Sequence, residues 1–361
     1  MTDDELIERT LQLAERGKGR VSPNPLVGCV IVKDGNIIGE GWHREFGGKH
    51  AEVDAFDICS QDPEGASLYV NLEPCSHFGK TPPCTDLIIS KKIARVVIGT
   101  GDPNPLVNGK GIQKLRDAGI TVDFAGSSSA CEELNKFFFK SVRIPQPYIL
   151  IKAAQTIDGK IADKSGESKW LSGEESRNYV HRLRSEYDAV MIGINTVKTD
   201  EPSLNVRNVE GRDPHIIVID KNLEISPGAK IFSIKSDRKI FIITSDKNRQ
   251  TVPPGLPEKV TKFIFLREDK SGNLPVSESL TELIREGIIS VMVEGGAGIY
   301  SYLISNGLYD ELMIFYTPKL LGSGVPVFSN PLITGIKDSV NLRLHGVKRF
   351  GDDILADYRR F

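Results

Sequence analysis

Apolar residues Leu6, Ile7, Leu11, Leu13 and Ala14 recur at near-helical spacing, with acids ahead of them and Arg and Lys behind. That order suits a helix dipole, and residues 3–17 are predicted as a helix. Residues 27–32 and 37–41 are apolar runs on either side of Lys33-Asp34-Gly35-Asn36, and they predict a hairpin turning on Asp-Gly. Helices are then predicted over 50–58, 84–91, 111–118 and 128–142, with strands over 67–72, 95–100 and 120–124. This alternation predicts a layered α/β domain whose later strands pair in parallel.

Arg143-Ile144-Pro145-Gln146-Pro147 reads as a linker, which divides the chain into residues 1–145 and 146–361. Beyond it the alternation starts again. Strands are predicted over 148–154, 189–194, 215–219, 239–244, 290–293 and 311–316, and helices over 174–185 and 277–286. Gly295-Gly296-Ala297-Gly298 opens a further helix to about residue 304. Residues 251–272 lack periodicity and are expected to be irregular surface. No internal repeat or low-complexity tract interrupts the pattern.

With 361 residues there is material for two domains of ordinary size, and 39% hydrophobic content supplies their cores. The net charge of −2 carries no basic bias of the kind that marks nucleic-acid binders. Five cysteines, an odd number at irregular spacing, fit a reducing cytoplasm better than a disulfide framework. The acidic N-terminus has no apolar signal core, and no apolar run approaches the ~20 residues of a membrane span. A cytoplasmic protein with neither nucleic-acid nor membrane partners is expected.

His50-Ala51-Glu52, Pro74-Cys75 and Cys84 carry the chemistry. One imidazole and two thiols are three ligands of a catalytic zinc site, which keeps the fourth position for a water whose pKa zinc lowers to about 7. Glu52 is left over as a proton carrier. H-x-E with P-C-x-x-C marks zinc nucleobase deaminases, but here eight residues separate Cys75 from Cys84. The alternative is a structural zinc with His77 as fourth ligand, which leaves Glu52 and Pro74 unexplained. Positions i and i+2 point about 200° apart inside a helix. His50 and Glu52 are therefore expected at a helix entrance, where the dipole also favours negative charge. The strand over 67–72 should deliver Glu73-Pro74-Cys75 at its C-terminal end, where ligands sit in α/β sheets.

The segments His50-Ala51-Glu52, Asn71 to Cys84 and Asp102-Pro103-Asn104-Pro105 resemble the deaminase half of the bifunctional riboflavin-biosynthesis deaminase/reductases. The second half resembles the reductase half of that family through residues 152–162, Gly193-Ile194-Asn195-Thr196-Val197 and Glu294-Gly295-Gly296. The resemblance spans nearly the whole chain. It implies a cytidine-deaminase-like layered α/β domain followed by a dihydrofolate-reductase-like α/β domain. It also implies two reactions: zinc-dependent hydrolytic loss of the 2-amino group from a phosphoribosylamino-diaminopyrimidinone, then NADPH reduction of the ribosyl chain to ribityl. The expected cofactors are Zn2+ and NADPH, and the expected partners are phosphorylated pyrimidines and further copies of the chain.

Carried over by motif position, His50, Cys75 and Cys84 are the metal ligands and Glu52 the catalytic proton carrier. Asn24, His43, His77, Lys80, Asp102 and Asn104 are implied around the pyrimidine, although Asn and Asp beside Pro are also ordinary turn formers. For the reductase, Lys152, Ser168, Arg184, Leu204, Arg207 and Glu294 are implied around substrate. Arg184 and Arg207 are expected on its phosphate, where planar guanidinium forks fit. An ordinary solvated helix face is the alternative for Arg184. Ala154, Trp170, Thr196, Asp200 and Gly295 to Gly298 are implied around the nicotinamide cofactor, with core packing as the alternative for Trp170. The glycine turn offers N–H groups to a pyrophosphate, yet it is not the G-x-G-x-x-G of a Rossmann domain. Rival readings are a nucleic-acid editing deaminase with a non-catalytic nucleotide-binding second half, and a zinc-stabilised nucleotide-binding module without catalysis. The first should show a basic stripe, and the second should be indifferent to Glu52.

Overall fold

Thr2 starts the first helix, α1 (Asp3–Glu15). Its side chain accepts the Glu5 N–H at 3.3 Å while the Glu5 carboxylate accepts the Thr2 N–H at 2.7 Å, a capping box. In the computed structural model, which describes residues 1–78, 82–105, 107–233 and 237–360, the chain divides into two units, Met1–Pro145 and Gln146–Phe361. Among the described residues no helix is long and apolar enough to cross a membrane.

The first unit continues with β1 (Gly28–Lys33), β2 (Asn36–Trp42), α2 (Ala51–Asp57), β3 (Ser67–Leu72), α3 (Cys84–Ser90), β4 (Arg95–Thr100), α4 (Lys110–Asp117), β5 (Thr121–Phe124), α5 (Ser128–Leu134) and α6 (Lys136–Arg143). Its sheet runs β2-β1-β3-β4-β5. The β2-β1-β3 pairs are antiparallel and the β3-β4-β5 pairs parallel. Strand residues alternate between two cores. Val30, Tyr69 and Val97 face α1 with Leu6, Ile7 and Cys131, while Ile31, Leu68 and Ile98 face α2, α3 and α4 with Ala55, Ile88 and Leu115. The single helix expected over 128–142 is two, broken at Asn135. The buried Asn135 amide is used elsewhere: its oxygen accepts the Leu26 N–H at 2.7 Å and its nitrogen donates to the Leu26 carbonyl at 2.9 Å.

Helix α2 lies with its backbone against β2. A Cβ added at Gly41 would fall 2.3 Å from the Ala55 nitrogen and 2.4 Å from the Ala51 oxygen, and one at Gly39 would fall 2.6 Å from the Ala55 oxygen. No side chain fits between strand and helix there.

The second unit holds β6 (Tyr148–Thr156), β7 (Lys160–Ala162), α7 (Glu174–Glu186), β8 (Ala189–Gly193), α8 (Ile194–Asp200), β9 (His215–Ile219), β10 (Ile240–Ser245), β11 (Thr261–Leu266), α9 (Val276–Arg285), β12 (Ser290–Val293), α10 (Ala297–Ser305), β13 (Glu311–Thr317), β14 (Val325–Pro326), β15 (Leu342–Phe350) and β16 (Asp353–Arg360). Its main sheet runs β11-β10-β9-β8-β12-β6-β13-β16-β15. Pairing is parallel from β11 to β13 and antiparallel through β16 and β15.

The short elements β7, α8 and β14 were not expected, and two larger features also depart from the expected pattern. Residues 251–272 are not irregular throughout, because they contain β11, the parallel edge strand beside β10. An edge strand is only half covered, so its pattern is weak; Phe263 and Phe265 stack on each other at 5.6 Å rather than in the core. The β15–β16 hairpin was not anticipated either. Most of β15 is exposed, so no apolar face marks it.

Replacing Gly41 by Ala should cost the first unit about 1–3 kcal/mol, the usual range for overpacking against unyielding backbone. Urea unfolding of the variant should show a lower midpoint at unchanged slope, and an unchanged midpoint would contradict the close approach.

Candidate active sites

His50 is the N-cap of α2, with extended backbone at φ −70° and ψ 158°, and Glu52 sits in the first turn. Because the chain is still turning there, the two side chains converge as mid-helix positions could not. β3 ends just before Glu73-Pro74-Cys75, and Cys84 is the first residue of α3. His50 Nδ1 and the two sulfurs lie within 4.8 Å of one another. The imidazole nitrogen is 3.2 Å from Cys84 Sγ and 3.6 Å from Cys75 Sγ, and the Cys84 N–H donates to Cys75 Sγ at 3.3 Å.

Among the described residues this group consists of three ligands, without His77. Two soft thiols and one imidazole fit zinc, and three protein ligands fit an open catalytic coordination rather than a closed structural one. Hydrogen bonds from Cys84 and His50 pull the Cys75 thiol well below its ordinary value. The bond to Cys75 raises His50. Burial, followed by the charge of Cys75, raises the Glu52 carboxyl, which also hydrogen-bonds Cys84; only 3% of Glu52 is exposed.

These groups open on a cavity of about 340 Å³ that is also lined by Asn24, His43, His77, Asp102 and Asn104. His43 Nδ1 lies 2.8 Å from the Lys49 carbonyl, which can only accept, so Nδ1 carries the proton. His43 Nε2 is then an acceptor, and the Asn24 amide nitrogen donates to it at 3.1 Å. Burial lowers His43 and keeps it neutral. Burial also pushes the Asp102 carboxyl up to about 6, against the Asn104 N–H that it accepts at 2.8 Å. Lys80 lies outside the described residues. Val27, Phe46 and Phe138, which the sequence did not single out, supply apolar wall.

A cavity of about 650 Å³ in the second unit gathers Lys152, Ala154, Ser168, Trp170, Arg184, Thr196, Asp200, Arg207, Glu294, Gly296 and Ala297. It lies where β8 and β12 end, beside the C-terminal half of β6, the usual place for ligands in a parallel sheet. Leu204, Gly295 and Gly298 do not line it. Leu204 is buried in a left-handed turn at φ 50°, and Gly295 packs on Ile192, which an added Cβ would approach to 3.0 Å. Gly298 is already within α10. Gly296 caps α10 at φ 66°, a conformation that favours glycine. Trp170 is 69% exposed, so core packing does not explain it; the Arg177 guanidinium lies 4.7 Å from its ring centroid.

Arg184 is not on a solvated helix face. Its Nε and Nη2 donate to the Glu294 carboxylate at 2.6 and 2.8 Å, and its Nη1 donates to the Asn205 carbonyl at 3.3 Å. The fork expected on a phosphate is thus largely committed within the protein, whereas Arg207, which also lines the cavity, forms no ion pair among the described residues. His181, one turn before Arg184, was missed by sequence reasoning. Its Nδ1 accepts the Arg207 N–H at 3.2 Å, so α7 holds residues 205–207 in place through both side chains. The i, i+3 spacing of His181 and Arg184 was the available signal. Burial lowers the Lys152 ammonium; Glu294 opposes the shift and Arg184 adds to it.

Truncating Glu294 to Ala should cost about 3–5 kcal/mol, because Arg184 would remain buried and unpaired. Adding Arg184→Met should recover most of that loss in a urea melt, whereas additive losses would contradict the pairing.

Residues 1–100 match the cytidine and deoxycytidylate deaminase zinc-binding region, and residues 147–356 match the RibD C-terminal domain. The riboflavin biosynthesis protein RibD of Aquifex aeolicus is 40% identical over 99% of both chains. That of Escherichia coli is 37% identical over 98% of both. A crystal structure of a diaminohydroxyphosphoribosylaminopyrimidine deaminase/5-amino-6-(5-phosphoribosylamino)uracil reductase from Thermotoga maritima matches with a TM-score of 0.89 at 37% identity, covering 99% of each chain. Acinetobacter baumannii RibD matches with 0.90 at 33% identity, again over 99% of each. Both halves match, so the reading with a non-catalytic second half is not favoured. The fold is a cytidine-deaminase-like domain followed by a RibD reductase domain, and the cofactors are Zn2+ and NADPH. The chain belongs to the RibD family, the bifunctional deaminase/reductases of riboflavin biosynthesis.

Proposed function

We propose that residues 1–145 hydrolyse the 2-amino group of 2,5-diamino-6-(5-phosphoribosylamino)pyrimidin-4-one. Residues 146–361 then reduce the ribosyl group of the resulting 5-amino-6-(5-phosphoribosylamino)uracil to ribityl with NADPH. The observation that carries the first assignment is a buried carboxyl, Glu52, beside a three-ligand group on a cavity of about 340 Å³. His50 Nδ1, Cys75 Sγ and Cys84 Sγ would hold zinc, which when bound acidifies and polarises water. Glu52 carries two protons in turn, the first from the attacking water to the ring nitrogen and the second from the added hydroxyl to the amine, which departs as ammonia. Overall, oxygen from water replaces the amino nitrogen, which leaves as ammonia. The His43 bond fixes the Asn24 amide so that its oxygen remains to accept an N–H of the pyrimidine.

In the second unit NADPH supplies the hydride, and the protein orients the reactants. Arg207 takes the 5-phosphate, and Ser168 lines the same cavity. Gly296 and Ala297 present the start of α10 to the cofactor's pyrophosphate. Lys152 Nζ gives its proton to the sugar ring oxygen as that ring opens. The free state of all five cysteines supports a cytoplasmic setting. Leu344 and Val347, 55% and 59% exposed on the edge strand β15, support pairing with another copy of the chain.

Glu52→Gln should lower ammonia release by about 10²–10⁴-fold, the usual weight of one acid–base group. NADPH oxidation with supplied deaminated substrate should stay unchanged. Normal ammonia release would overturn the assignment. For the reduction, the donor must be protonated, so kcat should fall as pH rises through the lowered Lys152 value. Lys152→Met should abolish that limb of the profile; a variant that keeps both rate and limb would exclude Lys152 as donor.

A further inference from the structure

Glu73 lies between the end of β3 and the Cys75 ligand, and only 4% of it is exposed. Its carboxylate accepts four backbone N–H groups. Oε2 takes those of Asp102 at 3.3 Å and Gly109 at 3.0 Å, while Oε1 takes those of Gly111 at 3.0 Å and Ile112 at 3.3 Å. Its own N–H donates to the Thr100 carbonyl at 3.0 Å. Helix α4 has Gly109 at its N-cap and so no side chain of its own to receive its first amides. Glu73 receives them from another strand, where the helix dipole also favours a negative charge. The helix start is pressed onto this residue: a Cβ at Gly111 would fall 2.3 Å from the Pro74 oxygen and 3.1 Å from Glu73 Oε1.

The Asp102 amide and the amides at the start of α4 therefore meet on one carboxylate. Asp102 and Asn104 line the cavity, as does Glu73 itself. We propose that Glu73 is a positioning residue for deamination: it ties the backbone at Asp102, next to the cavity-lining Asn104, and the start of α4 to the strand end that delivers Cys75, so that the two edges of the pyrimidine are held in register. This rests on reading Asp102 and Asn104 as substrate contacts.

Glu73→Gln keeps the volume but turns one acceptor into a donor that faces N–H groups. In the full-length enzyme the variant should retain its zinc, and the amides of Gly109, Gly111 and Ile112 should exchange faster. KM for the diaminopyrimidinone should rise about tenfold or more, with kcat less affected. NADPH reduction of supplied deaminated substrate should not change. Glu73→Asp, which keeps the charge but is one methylene shorter, should show a smaller KM rise. An unchanged KM overturns the proposal, as does loss of zinc together with kcat at steady KM, which would make Glu73 a support for the metal alone. Asn104→Ala separates the two readings. A KM raised by Asn104→Ala but not by Glu73→Gln removes the positioning role, and a KM unchanged in both removes the substrate edge itself. Should the variants fail to fold, fast exchange of the same three amides in the unsubstituted enzyme would still overturn the clamp.

Discussion

The metal site of the first unit depends on how closely α2 approaches β2. Helix and strand touch through backbone alone at Gly39 and Gly41, and this brings the entrance of α2 down onto the sheet. His50 and Glu52 thereby come opposite the end of β3, where Cys75 emerges, and beside the first turn of α3, where Cys84 begins. A larger side chain on the strand would lift the helix and carry one ligand and the proton carrier away together. Packing and catalysis are linked at this point because interiors of this density do not yield to an extra methyl group.

Both units use a carboxylate that immediately follows a central strand to organise the surrounding cavity. Glu73 follows β3 and gathers backbone amides from segment 102–112. Glu294 follows β12 and engages Arg184, which in turn holds Asn205 near Arg207. The physical reason is shared. Strand ends in a parallel sheet converge on a crevice lined by loops and helix starts, and those present unsatisfied N–H groups and flexible cations. A buried carboxylate there gives them one fixed partner, and its burial is tolerable because every oxygen has donors.

Much of this was legible along the chain. Alternating apolar strands and helices predicted the central sheets, because buried strands such as β8, β9 and β10 are apolar on both faces. The strands that escaped notice include those at the edges, β11 and β15, where partial exposure blurs the period, along with β16 beside β15 and the short β7 and β14. The break at Asn135 escaped for a related reason. Local propensity allows a helix through it, and only its pairing with Leu26, more than a hundred residues earlier in the chain, ends that helix.

The sequence by itself singled out the cluster of one imidazole and two thiols, the carboxylate beside it and the two-part organisation. Residue types and spacing limit which ions and reactions are possible, whatever the fold. Tertiary structure decided which functional groups are free. It committed Arg184 to Glu294, brought His181 to the Arg207 backbone, exposed Trp170, and set Glu73 to hold backbone amides. Those outcomes turn on hydrogen bonds between residues distant in sequence, and a single carboxylate or guanidinium can serve only the partners that the folded chain places around it.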